Sequence, residues 1–199
     1  MSTLPLPIKE LFYRTIAGDV PLADFEQWLY THEEVESLLP ADDYLDLLTL
    51  NYHKSGAKYE LSNLLSKLID LGEYETYNLR GLLQEAQQKT VRLPYILMEF
   101  YDLYCRGYRF LQELGLGYGI AVEIPYLENV PAETWDELTP NQQKELLAGF
   151  YPGLDLELTR VLDWLTTGKI VLTGEYDELG HHDYLDLRTS GERPQALKR

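Results

Sequence analysis

The run Pro94-Tyr95-Ile96-Leu97-Met98-Glu99-Phe100-Tyr101-Asp102-Leu103-Tyr104-Cys105-Arg106-Gly107-Tyr108-Arg109-Phe110-Leu111-Gln112-Glu113-Leu114 decides the fold. At helical spacing, Leu97, Tyr101, Tyr104, Tyr108 and Leu111 form one row along it, and Ile96, Phe100, Leu103, Phe110 and Leu114 a second. Only a narrow third stripe, Glu99, Asp102, Arg106, Arg109 and Glu113, is polar. A helix apolar around most of its circumference is enclosed by other elements, so residues 94–114 are expected to be the central helix of a bundle. Pro94 suits a helix start, where its missing N–H costs nothing. Asp102–Arg106 and Arg109–Glu113 stand at i,i+4 and are expected to pair along the polar stripe.

Helical periodicity continues on both sides. Upstream it marks short helices around Ile8–Ile16, Leu22–Leu29, Glu33–Leu39, Tyr44–Leu50, Leu61–Ile69 and Tyr74–Lys89, with Gly18, Pro21, Pro40, Gly56 and Gly72 as punctuation. Downstream, Thr139-Pro140 with Gln143 reads as a capped helix start, and Leu154, Leu158, Val161, Leu162 and Leu165 mark a last helix ending at Gly168. The period then shortens: Ile170–Thr173 and Tyr184–Leu187 are expected to pair as a small hairpin. The fold class is therefore mainly α, a single-domain multi-helix bundle over residues 1–188, with a polar tail at 189–199 expected to fray.

Charge is the unusual quantity. Seventeen Lys and Arg stand against 33 Asp and Glu among 199 residues, a net of -16. Nucleic-acid backbones and anionic membranes attract cationic surfaces, so neither is an expected partner. The deficit is localised. Between Arg14 and Lys54 no base occurs, whereas Asp19, Asp24, Glu26, Glu33, Glu34, Glu36, Asp42, Asp43 and Asp46 all do. A second base-free interval, Leu111–Gln143, holds Glu113, Glu123, Glu128, Glu133, Asp136 and Glu137. Solvated helix faces account for such runs in the ordinary way; the sharper reading is an acidic face that steers a cationic protein partner. Its expected contact residues are Asp24, Glu26, Trp28, Tyr30, Glu33, Glu34, Glu36, Asp42, Asp43 and Asp46, with the two aromatics as anchors. Reversing Glu33, Glu34 and Glu36 is expected to leave folding almost untouched.

No catalytic constellation stands out. The chain contains neither a G-x-S-x-G elbow nor a P-loop. Gly115, Gly117 and Gly119 echo a nucleotide-binding loop, but a helix precedes them where a strand is required, so a helix end and turn accounts for them. His181 and His182 are adjacent and would point to opposite faces of a strand, which disfavours a shared metal. Cys105, the single cysteine, reads as a small core residue of the central helix. One cysteine and an N-terminus without a basic, apolar leader suit the cytoplasm. No cofactor or metal is expected, and whether the chain is an enzyme is left open.

Phe25-Glu26-Gln27-Trp28-Leu29-Tyr30, Tyr44–Leu48 with Asn51-Tyr52, Phe100–Tyr104 through Leu114–Gly119, and Trp164 with Gly168-Lys169-Ile170 resemble a group of largely uncharacterised bacterial helical proteins over about residues 8–175. Small acidic proteins of this kind are similar to immunity proteins of toxin systems, which bind and block a cognate toxin. The resemblance implies a non-catalytic, protein-binding role by occlusion of a cationic toxin, and carries no functional residue across. The competing expectation is a small-molecule binder or enzyme with a pocket beside the central helix and the Gly115–Gly119 loop.

Overall fold

The computed structural model describes residues 4–126 and 132–193. Among these residues the fold is mainly α, with one two-stranded antiparallel hairpin near the C-terminus. The chain divides into two compact units after Tyr74. Each described unit has its own cluster of buried apolar side chains, where the sequence suggests one core. Helix α6 (Leu71–Gln87) runs through the division without interruption, so no proline-rich or polar linker marks it in the sequence.

The first unit is built from α1 (Leu6–Ala17), α2 (Leu22–Thr31), α3 (Glu34–Leu38), α4 (Ala41–Thr49) and α5 (Ala57–Leu68). Pro5, Pro21 and Pro40 immediately precede α1, α2 and α4, their φ angles of -55°, -58° and -56° already set for a helix. Each helix turns one apolar stripe inward. Phe12, Phe25, Leu29, Val35, Leu47, Leu61 and Leu65 are fully buried or nearly so, and a side chain of this size contributes about 1.5–3 kcal/mol when taken out of water. Gly72 lies inside α6 rather than ending the preceding helix, which stops at Leu68.

In the second unit the long central helix is corrected to a broken one. Helix α7 spans Leu93–Cys105 and stops at a turn, followed by a 3-10 turn at Arg109–Leu111 and a π-helical segment at Glu113–Gly119 that leads into α8 (Ile120–Glu123). The break falls at Gly107, whose φ of +125° lies outside the helical range. The two expected ion pairs are not made; Arg109 lies over the Tyr104 ring at 4.8 Å instead. Cys105 ends α7 and is exposed rather than part of the core.

The glycine triplet is neither a loop nor a helix cap. A Cβ on Gly115 would stand 2.9 Å from Tyr104 Cβ, and one on Gly119 would stand 2.4 Å from the Leu97 carbonyl oxygen. Their absent side chains let the π-helical segment press directly on α7.

A 3-10 turn at Trp135–Glu137 precedes α9 (Pro140–Ala148) and α10 (Gly153–Thr166). The expected capping box forms one residue earlier than the sequence suggests, with Gln142 accepting from the Thr139 N–H at 2.8 Å. Strands β1 (Ile170–Tyr176) and β2 (His182–Asp186) pair as expected, with Ile170 opposite Asp186 and Leu172 opposite Tyr184. Arg188 lies over the Trp164 ring at 4.3 Å and donates to both oxygens of Asp186.

The tail expected to fray from Thr189 is held as far as Arg193. Glu192 accepts from Lys169 Nζ at 2.6 Å and from the Thr189 backbone at 3.0 Å, and Arg193 donates to the Asp186 carbonyl at 2.7 Å. Lys198 and the rest of 194–199 lie outside the described residues. The Lys169 bond, then the Thr189 donors, lower the Glu192 carboxyl from its ordinary 4.5 to about 2. A depressed acid stabilises the turn in full above its unfolded value near 4.5 and loses that contribution as pH falls through about 2. An NMR titration of the Thr189 amide is expected to show a midpoint near 2; one near 4.5 would mean the Lys169–Glu192 bond is not held.

Candidate functional site

Ten residues stand as the candidate contact face, all in the first unit. Asp24, Tyr30, Glu33, Glu34, Glu36, Asp42 and Asp46 are exposed, while Glu26, Trp28 and Asp43 are half-buried. No Lys or Arg pairs with any of the eight acids among the described residues; Glu26 lies 3.9 Å from His53 Nε2. Trp28 is tied into the unit's own packing. Its ring stacks on His32 at 4.9 Å and meets Phe25 at 5.7 Å and Phe12 at 6.3 Å. Tyr30 is 54 % exposed with its hydroxyl 3.4 Å from the Leu48 carbonyl, so it lies where α2 meets α4, and Leu45 on α4 is likewise exposed. These two exposed side chains offer apolar surface among the acids beside the half-buried Trp28.

Local helix chemistry explains part of this charge. Asp24 lies in the first turn of α2, Glu34 and Glu36 in that of α3, and Asp42 and Asp43 in that of α4. Unsatisfied N–H groups at a helix start favour a carboxylate there by about 0.3–1 kcal/mol each. Asp46 sits later in α4 and has no such role. It borders an open depression of about 440 Å³ whose other walls include Leu50, Lys54, Glu60, Asn63 and Leu64. Lys54 Nζ lies 2.7 Å from a Glu60 carboxylate oxygen there.

The second base-free interval is less free. Asp136 accepts from the Tyr95 hydroxyl at 2.9 Å, and Glu137 accepts from the Glu133 N–H at 2.8 Å. Glu128 lies outside the described residues.

A buried polar cluster in the second unit was not legible in the sequence. There, Glu75 on α6 accepts from the buried Tyr108 hydroxyl through Oε2, and from the Tyr176 hydroxyl through Oε1 at 3.1 Å. His182 Nδ1 lies 3.1 Å from the same Oε1. The imidazole stacks on the Tyr108 ring at 4.6 Å and meets the Tyr176 ring at a tilt, with centroids 4.7 Å apart. A carboxylate only accepts, so the geometry puts a proton on His182 Nδ1. Burial first, then the bond to Glu75, pushes the Tyr108 hydroxyl far above its ordinary range, so it stays a donor. The cluster ties α6, the Gly107 turn and both strands together through hydrogen bonds; the side chains of Glu75 and His182 are only 13 % and 12 % exposed. The adjacent His181 turns away to Asp177, 2.9 Å off, in keeping with opposite strand faces.

Among the described residues no group of three or more His, Cys, Asp or Glu side chains is arranged to hold a metal, and no helix is long and apolar enough to cross a membrane. Comparison with known protein families, curated proteins and solved structures gave no match to this chain.

Proposed function

We propose that the first unit is a protein-binding module that receives a cationic protein on the acidic face of α2–α4 and acts by occlusion, as an immunity protein blocks a toxin. The observation that carries this reading is the eight exposed or half-exposed acids that have no Lys or Arg partner among the described residues. Charges left unpaired within the chain are available to a partner, and they steer its approach at long range. Tyr30 and Leu45 supply apolar contact once the surfaces meet.

The test is the triple reversal Glu33→Lys, Glu34→Lys, Glu36→Lys against a cationic partner captured from the source organism. Stopped-flow association is expected to slow at least about tenfold and to lose most of its salt dependence, because rim charges act chiefly on the on-rate. An unchanged rate and salt slope would reduce this cluster to a solvated face. The first-turn positions of Glu34 and Glu36 revise the expectation that folding is untouched. Each reversal there is expected to cost about 0.3–1 kcal/mol or more, so a thermal melt of the variant accompanies the kinetics.

A further inference from the structure

We infer that the depression between α4 and α5 seats an arginine side chain of the cationic partner, an inference that rests on the partner-binding reading above. Asp46 and Glu60 place two carboxylates on its walls against the single ammonium of Lys54, leaving it net negative. Leu50 and Leu64, both half-buried, offer an apolar strip for a methylene stem. The chain already holds a cation there: Lys54 Nζ lies 2.7 Å from Glu60, with both side chains nearly half exposed. An ion pair this open contributes little, so an incoming cation displaces Lys54 easily. Polar side chains from two helices line it and include the Asn63 amide as well as carboxylates. Such a spread suits the planar five-donor fork of a guanidinium better than a compact, strongly hydrated ammonium.

The probe is capped hexa-arginine, titrated at low salt into the full chain by calorimetry, with the Asn63 side-chain amide followed by NMR. Asp46→Asn with Glu60→Gln is expected to weaken binding about tenfold, the scale of a lost charge-assisted bond. Lys54→Met is expected to tighten it several-fold by freeing Glu60. Lys58→Met, which removes the same charge outside the depression walls, is expected to tighten it less. Capped hexa-lysine is expected to bind more weakly than hexa-arginine. The inference is overturned if the Asp46 and Glu60 pair has no effect, if Lys54→Met does no more than Lys58→Met, or if hexa-lysine binds as well. Glu33→Gln, Glu34→Gln, Glu36→Gln separates the two readings. If it weakens binding while the Asp46 and Glu60 pair does not, the depression is not the seat and the acidic face stands. If neither set weakens binding, both readings fail.

Discussion

Gly107→Ala is expected to destabilise the second unit by about 2–6 kcal/mol, combining backbone strain with a forced clash. At φ +125° an added Cβ stands 2.5 Å from the His182 carbonyl oxygen and 2.9 Å from its nitrogen. The backbone there cannot yield cheaply, because the His182 N–H donates to the Arg106 carbonyl at 2.7 Å and fixes the strand against the turn. Gly168→Ala is the control. Its φ of +71° carries strain, but nothing lies within 4 Å of the new Cβ. It is expected to cost about 1–2 kcal/mol, the left-handed penalty alone. Chemical denaturation of both variants checks the comparison. Equal losses would mean that strand β2 does not press on the turn.

Glu75→Ala is expected to cost about 2–4 kcal/mol, mostly by leaving the buried Tyr108 hydroxyl without its acceptor. Removing Tyr176 and His182 from the same carboxylate adds to the loss because the network members polarise one another. Tyr108→Phe should cost less, since it removes the donor and leaves Glu75 with two other partners. A double-mutant cycle on Glu75→Gln and Tyr108→Phe is expected to give a coupling energy above about 0.5 kcal/mol. Additive losses would show that the two groups act separately. Near-ultraviolet circular dichroism, which reads the packed tyrosines, should report the same loosening.

These two sites show which features the sequence makes legible. Helix existence and position follow from apolar spacing, which is why the segments around Ile8–Ile16 and Leu154–Leu165 lie where periodicity puts them. The hairpin was legible from its β-branched start, Ile170-Val171, and from the change of period. The break after Cys105 was not, because both apolar rows continue past Gly107 and the folded chain buries Tyr108 and Phe110 in a different backbone geometry. A periodic pattern reports which side chains are buried, not whether one helix carries them all. The Glu75 cluster was hidden for another reason. Its carboxylate meets a tyrosine 33 residues away, another 101 away and a histidine 107 away, a juxtaposition that no local spacing encodes. The acidic face lies between these cases. Its charge was plain in the sequence, but the inward packing of Trp28 and the first-turn roles of Glu34 and Asp42 are properties of the folded helices.

The π-helical segment divides a triplet of glycines that sequence comparison would treat alike. Gly115 and Gly119 abut the α7 backbone, whereas a Cβ on Gly117 would meet only the Glu113 carboxylate oxygen, at an ordinary 3.6 Å. Under mutational drift the outer two positions are pinned and the middle one is free to take a side chain. A lineage of this protein is then expected to keep a pair of glycines four apart, while the spacing of two that mimics a nucleotide loop is under no such packing constraint.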